Sequence, residues 1–491
     1  MRMPWIACGA IIAGLGLAVA APPYRPLPAL SDMPEIVSHD GVLSATLTAQ
    51  AAKSHFGGVE VDTIVYNGSF AGPVLRVRPG DTMRIRLENR LTEPTNLHFH
   101  GIQTSPRGNS DNVHISVPPG QDFDYEIKIP SYQPAGAYWY HAHLHGLAEK
   151  QVGRGLSGAL IVEGFTDGVP GLAGINERLF SLKSIEIEDS ADPIIADEWH
   201  GVVQTINGAI TVNETLRPHE TVLWHLTNHD ANQTVHLSLE GHHFTIVGRD
   251  GAAIPTAMEA EVLDIGPAAR VEVLVTAGEP GDYKFATRNV LTGKGPTLSR
   301  NRIMGHLVVE GTPAISAEAT LPAVADLSGA KVTGYRTFIF SQSKDAEQYY
   351  INGRQFDAGR MDTRVNLGDV EDWTIRNDSD DMHAFHIHQL SFQVMAVNGK
   401  PIPFGGLLDT VRVPEHGEIT VRLPFTQPNI VGIFMYHCHV LKHEDKGMMQ
   451  MIEVVDPGAA KHTDNGLVRW LASITKPAAM DIPLCTAGGS G

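Results

Sequence analysis

Residues 436–451 read YHCHVLKHEDKGMMQM and bring His437, Cys438, His439, His443 and Met448 into one short stretch. The chain has only three cysteines, so the position of this one, between two histidines, is informative. In a β-strand, residues i and i+2 face one side while i+1 faces the other. His437 and His439 would then share a face, and Cys438 would point away from it. Thiolate and imidazole both bind transition metals, so this tripeptide could touch two metal sites at once. Cys438, His443, His383 and the weak thioether of Met448 make up the two-His, one-Cys, one-Met set of an electron-transfer copper site. The opposite face would hold metal through imidazole alone, with a path for electrons along the backbone between the two.

The same i, i+2 spacing recurs in HFHG (His98, His100), YHAHLHG (His141, His143, His145) and HAFHIH (His383, His386, His388). A single such pair arises readily from packing. Four pairs, two near the start of the chain and two near its end, are not explained that way. Together they offer eight side-by-side imidazoles, a donor set suited to a cluster of metal ions.

Such pairs need strands to present them, and the sequence repeats one strand grammar three times. The segments begin YNGSFAGPVLRVRPGDTMRIRLEN at Tyr66, INGAITVNETLRPHETVLWHLTN at Ile206 and INGRQFDAGRMDTRVNLGDVEDWTIRN at Ile351. Each has an Asn-Gly turn, a strand, a second turn and a strand closing on Asn89, Asn228 or Asn377. Apolar Val77, Met83, Ile85 and Leu87 alternate with Arg78, Arg84 and Arg86, the period-2 signature of half-buried strands. Glycine (49) and proline (31) punctuate the whole length, and no long helical stripe precedes the tail. The reading is all-β, with three consecutive β-sandwich domains at about 40–165, 175–312 and 335–456. The Pro/Ala-rich stretch 313–334 reads as a linker. The tail, 457–491, contains NGLVRWLASI, a candidate short helix.

At 491 residues the chain has room for about three domains of roughly 150 residues. Its formal charge of −18 disfavours nucleic acid and anionic lipid as partners. Residues 1–21, MRMPWIACGAIIAGLGLAVAA, read as a secretory signal peptide, which predicts a periplasmic or secreted protein without stable membrane insertion. Cleavage would remove Cys8 and leave Cys438 and Cys485. Metal binding explains Cys438 better than a disulfide to the Gly-rich tail.

With these motifs the chain resembles the multicopper oxidases, the family of laccases, ascorbate oxidase and bacterial cuprous oxidases, over nearly its whole mature length. The resemblance implies that the three sandwiches are cupredoxin-like Greek-key domains holding four copper ions: one type 1, one type 2 and two type 3. It implies type 1 copper on His383, Cys438 and His443 with Met448 axial. Type 2 copper would take His98 and His386. The type 3 pair would take His100, His141, His143, His388, His437 and His439. The cluster would lie between domains 1 and 3. Domain 2 reads VHLSLEG where domain 3 reads FHIHQLS, so it is expected to be a spacer without copper ligands. His145 and the pair His242-His243 fall outside the ligand set and read as structural.

The family's activity is one-electron oxidation of a reductant at type 1 copper, coupled to four-electron reduction of dioxygen to water. Water formation needs protons, for which Asp111 and Glu444 are the candidate carboxylates. The expected reductants are phenols or aromatic amines, because the one methionine cluster, Met448-Met449-Met451, contains the axial ligand itself and Met382 reads as core. An open, mainly apolar approach to a type 1 imidazole is therefore expected. Oxidation of cuprous or other metal ions is the alternative. A copper nitrite reductase needs fewer histidine pairs, a metal-free scaffold would not keep every expected ligand, and a non-enzymatic copper-binding protein is a further alternative that copper content and oxygen uptake would separate. Oligomeric state and use of the Asn-x-Ser/Thr sites at Asn67, Asn213, Asn232 and Asn377 are not set by the sequence.

Overall fold

A computed structural model describes residues 33–187, 202–287 and 302–459. The leader with Cys8 and the tail with its candidate helix and Cys485 lie outside the described residues. Within them nearly all of the regular structure is strand, and the strands form three pairs of facing sheets.

Each Asn-Gly forms the turn its chemistry favours. Asn67-Gly68, Asn207-Gly208 and Asn352-Gly353 all have positive φ at both positions, as a two-residue type I′ turn requires. Each asparagine side chain also accepts a backbone N–H from a neighbouring strand: Thr48 at 2.7 Å, Ser181 at 2.7 Å and Ile339 at 2.8 Å. Asn89, Asn228 and Asn377 are equivalent to one another as well. The carboxamide oxygen of each accepts the N–H two residues on, and its amide donates to the loop carbonyl of Glu93, Gln233 or Asp381. These loops lead into the histidine strands. Asn377, buried and committed in this way, is closed to glycosylation in the folded chain.

In the first sandwich, strands Val59–Tyr66, Val42–Phe56, Thr82–Asn89 and Asp122–Lys128 form one sheet. Met83, Ile85 and Leu87 of the third strand turn inward and Arg84 and Arg86 outward, as the alternation requires. The facing sheet ends with Ser157–Val162, Gly136–His141 and the edge strand His98–His100. His98 pairs directly opposite His141. The third sandwich repeats this, with Met449–Val455, Gly432–Cys438, His383–Ile387 and Thr410–Val413 adjacent in one sheet. There His386 lies opposite His437 and Phe385 opposite Cys438, so one pair of strands sends imidazoles to one face and the thiol to the other. In the second sandwich the equivalent strand, Val235–Leu239, carries VHLSL and packs into a core around Trp224. Residues 313–334 lie largely exposed as irregular chain with one short 3₁₀ turn at Leu327–Gly329, and residues 317–321 strap across domain 2.

The domains lock through polar contacts. Two short helices that the sequence reading did not anticipate, Ala148–Gly153 and Leu441–Asp445, pack together, one from each end of the chain. Asp445 accepts the N–H groups of Gly146 (2.7 Å) and Glu149 (2.8 Å), a cap supplied across the domain boundary. Between domains 1 and 2, buried Lys183 donates to the carbonyls of Phe70 (2.8 Å) and Gly155 (3.1 Å).

Candidate metal centre

The strand pairings bring His98, His100, His141 and His143 of domain 1 against His386, His388, His437 and His439 of domain 3, all buried. Two stacks cross the boundary: His98 on His388 and His100 on His386, each with ring centroids 3.9 Å apart. Burial pushes His143 and His437 down to about 3 and holds His100, His141, His386, His388 and His439 well below the ordinary imidazole value, with neighbouring imidazoles adding to the effect for most of them. These rings are therefore neutral, the form that binds metal.

A neutral imidazole has one N–H and one bare nitrogen, so its hydrogen bond decides which atom is bare. His98 Nδ1 donates to Asp111 (3.0 Å), His141 Nδ1 to the Ala142 carbonyl (2.9 Å) and His386 Nδ1 to the Asp409 carbonyl (2.8 Å). His100 is reversed, with Nε2 donating to Asp409 Oδ1 at 3.1 Å. The opposite nitrogens, Nε2 of His98, His141 and His386 and Nδ1 of His100, are buried with no hydrogen-bond partner. His437 Nδ1 faces the Cys438 carbonyl at 3.1 Å, and its Nε2 lies 3.2 Å from His143 Nε2 and 3.1 Å from His388 Nε2. Lone pairs that converge in a dry interior repel unless a cation lies between them. The donor set therefore fits metal ions: His143, His388 and His437 form one potential ligand group, and His98, His100 and His141 another.

On the other face of the strand, Cys438 Sγ lies 3.6 Å from both His383 Nδ1 and His443 Nδ1, and those two nitrogens are 3.0 Å apart. Ser379 Oγ engages His383 Nε2 at 2.8 Å and so leaves Nδ1 to face the thiol. Burial pushes the Cys438 thiol up to about 12, so a thiolate here needs a bound cation. Met448 is fully buried in the same core cluster, and its carbonyl accepts the Cys438 N–H at 3.0 Å. The helix Leu441–Asp445 aims His443 at this group and Glu444 at the imidazole cluster.

Asp111 is buried and fully engaged. Besides His98 it accepts the Phe99 N–H (3.0 Å) on Oδ1 and Gln389 Nε2 (2.9 Å) on Oδ2. Glu444 is buried too, with Oε2 3.0 Å from His437 Nδ1 and Oε1 3.6 Å from His143 Nε2, and burial raises its carboxyl above the ordinary value. Asp409 escaped the sequence reading. Burial pushes its carboxyl up, but the Arg270 guanidinium outweighs this and holds it below the usual value. Nothing local could have found the pair, because its members lie 139 residues apart.

Three successive family models, each described as multicopper oxidase, match residues 48–167, 189–312 and 325–458. The chain belongs to the multicopper oxidase family. A multicopper oxidase of Staphylococcus haemolyticus is 27% identical over 435 residues, 85% of this chain and 90% of that one. The cell division protein FtsP of Escherichia coli is 25% identical over 461 residues, 89% and 94% of the two chains. Among solved structures, a Campylobacter jejuni multicopper oxidase described as a metallo-oxidase superposes with TM-score 0.75 at 27% identity, covering 88% of this chain and 96% of that one. CueO of Ochrobactrum sp., a laccase-like enzyme with oxidase activity towards lignin model compounds, gives 0.73 at 27% identity, covering 88% and 100%. This multicopper oxidase therefore has the all-β fold that its repeats indicated, in the cupredoxin-like form that the resemblance implied, and copper is the cofactor its family implies.

His443 of the Cys438 group and Tyr349 line a cavity of about 1360 Å³ where all three domains meet. Tyr349 stacks on the His443 ring at 4.1 Å. The cavity's lining is mixed rather than the mainly apolar one expected: Val59, Val61, Ile185 and Val440 share it with the carboxylates of Glu149, Asp230, Asp380 and Asp381 and the bases Lys150, Arg154 and Lys442. Glu149 and Asp230 reach this wall from domains 1 and 2, whereas Asp380 and Asp381 stand just before His383 in the sequence. Met382 lies elsewhere, half-buried on a cavity of about 390 Å³ between domains 2 and 3. His145 is an exposed loop residue against Phe356. His242 accepts the Gly278 N–H at 3.0 Å, a structural contact.

Proposed function

We propose that this multicopper oxidase takes electrons singly at a type 1 copper site and uses them to reduce dioxygen to water at a three-copper cluster. The single observation that carries the reading is the set of buried, bare imidazole nitrogens converging on one side of a strand whose thiol faces His383 and His443 on the other. His383, Cys438 and His443 with Met448 would hold type 1 copper. His98 and His386 would hold type 2, and His100, His141, His143, His388, His437 and His439 the type 3 pair. Bound copper supplies the one-electron redox changes and the affinity for dioxygen.

The rest is the work of the chain. Cys438 is bonded through the backbone to His437 and His439, so the shortest covalent path from thiolate to cluster is a single residue. Asp111 fixes which nitrogen His98 presents. Glu444, dry and within reach of two cluster imidazoles, can hold a proton close to where water forms. The apolar leader supports export to the periplasm or beyond.

The reductant has two readings. The cavity over His443 is wide enough for the phenols and aromatic amines of the laccase reading. Its carboxylates favour a second, a cationic reductant such as a metal ion, because an acidic lining raises the local cation concentration. The two similar solved enzymes divide on this point, one a metallo-oxidase and one active on lignin models. Steady-state kinetics with Fe(II), Cu(I) and a neutral phenol side by side decides between them. The acidic lining predicts saturation at lower metal-ion than phenol concentration, with an advantage that shrinks as salt is raised. Phenol turnover that is faster and indifferent to salt would return the assignment to a laccase.

A further inference from the structure

Domain 2 carries none of the eight cluster histidines, yet one of its side chains reaches the cluster's supporting layer. Arg270 opens the strand Arg270–Thr276 and is fully buried. Its guanidinium forks onto Asp409 of domain 3, Nη1 to Oδ1 at 2.8 Å and Nη2 to Oδ2 at 2.5 Å. Nη1 also donates to the Ala268 carbonyl (3.1 Å), and Nε reaches the Ala137 carbonyl of domain 1 (3.3 Å), in the strand that ends at His141. Asp250 secures the far side: its Oδ1 accepts the Arg270 N–H (3.1 Å) and its Oδ2 the N–H groups of Asp409 (3.1 Å) and Thr410 (3.3 Å). Gly101 gives the space, since a Cβ there would sit 2.7 Å from both Arg270 Nη2 and Asp409 Oδ2.

The fork controls what Asp409 can do. With both oxygens engaged by Arg270, Asp409 orients imidazoles rather than competing with them as a ligand. Oδ1 takes the Nε2–H of His100, which turns that ring's Nδ1 bare toward the cluster, the reverse of His98, His141 and His386. Thr410 Oγ1 donates to Asp409 Oδ1 at 2.9 Å, so its lone pair is left to meet His386 Nδ1 at 3.1 Å. Two stacked histidines from different domains thus receive opposite orientations from one anchored residue: His100 from the Asp409 carboxylate, and His386 from the Asp409 carbonyl at 2.8 Å and the Thr410 hydroxyl that the carboxylate fixes.

We propose that Arg270 is a positioning residue for the copper cluster, setting the orientations of His100 and His386 through Asp409, so that domain 2 is part of the cluster's support. This rests on the copper-cluster reading above, which wild-type protein loaded with copper and showing cluster signals establishes independently. The test is Arg270→Lys, which keeps the charge but cannot make the planar two-bond fork. Copper per chain, the EPR signal of type 2 copper and the blue type 1 absorption are measured together. The expected result is an intact blue band with cluster copper bound roughly 10–100-fold more weakly and an altered type 2 signal, the usual scale for loss of such a supporting contact. Unchanged copper content and type 2 signal would overturn the proposal. If Arg270→Lys does not fold, Asp409→Asn decides it by the same readouts. Selective loss of cluster copper supports the orienting carboxylate, and wild-type cluster signals in that variant overturn it.

Discussion

Cys438 is the residue on which the two metal groups hinge. Its sulfur sides with His383 and His443 while its neighbours in sequence turn to the imidazole cluster. Cys438→Ser should abolish the blue absorption and substrate oxidation but leave cluster copper bound. A variant that stays blue would refute the assignment. Asp111 sits on the other side of the electron path. Its oxygens fix His98 and bind Gln389, so Asp111→Asn sets an amide N–H₂ against the Gln389 donor or against His98. Reduction of the blue site by substrate should be unaffected, and reoxidation by dioxygen should slow by roughly 10–100-fold. Wild-type reoxidation in stopped flow would reduce Asp111 to a loop contact. These histidines and the cysteine were readable in the sequence because a strand repeats every two residues, so spacing alone gives facing. Asp409 and Arg270 were not, because their value lies in a contact that only the folded chain makes.

Strands and turns carried the fold in the same local way. The three Asn-Gly turns and the three strand-end asparagines recur with the same hydrogen bonds, and local chemistry of this kind makes the repeat legible in the amino-acid order alone. The helix Leu441–Asp445 could not be read there: five residues are too few to leave a periodic signal. One strand pairing also carries a pH dependence. His225, in the strand Thr221–Asn228, lies with Nε2 3.2 Å from Glu177 and Nδ1 3.8 Å from Glu272. Burial alone would lower its imidazole, but the two carboxylates outweigh it and raise it to about 9. The folded value lies above the unfolded one, so this stabilisation is complete below pH ~6.5 and is lost as pH rises through about 9, on the order of 3 kcal/mol. Glu272 also accepts the Ala137 N–H at 2.8 Å, so the loss falls on the junction of domains 1 and 2. Unfolding free energy should drop across that window in the wild type and stay flatter in His225→Gln. Parallel curves would show that the cluster carries no such charge.

At the scale of the molecule, domains far apart in sequence build one cluster of imidazoles and one cavity. Copper held as proposed between domains 1 and 3 would stabilise only the folded arrangement, by about 2.7 kcal/mol for each site at a free concentration 100 times its dissociation constant. Chelation should therefore lower the unfolding temperature, and restoring copper should recover it. Identical melting of the copper-free and loaded protein would mean that the domains close without metal. The mixed lining of the cavity over His443 is a product of this scale too, since Glu149 and Asp230 come to it from domains far away in sequence. Central to the whole account is that electrons entering at the Cys438 site leave as water. The direct measurement is oxygen uptake with simultaneous assay of peroxide while copper-loaded protein oxidises a one-electron donor. The expected result is one dioxygen consumed for every four donor molecules oxidised and no peroxide released. Peroxide at one equivalent per two donors, or donor oxidation without oxygen uptake by fully copper-loaded protein, would contradict it.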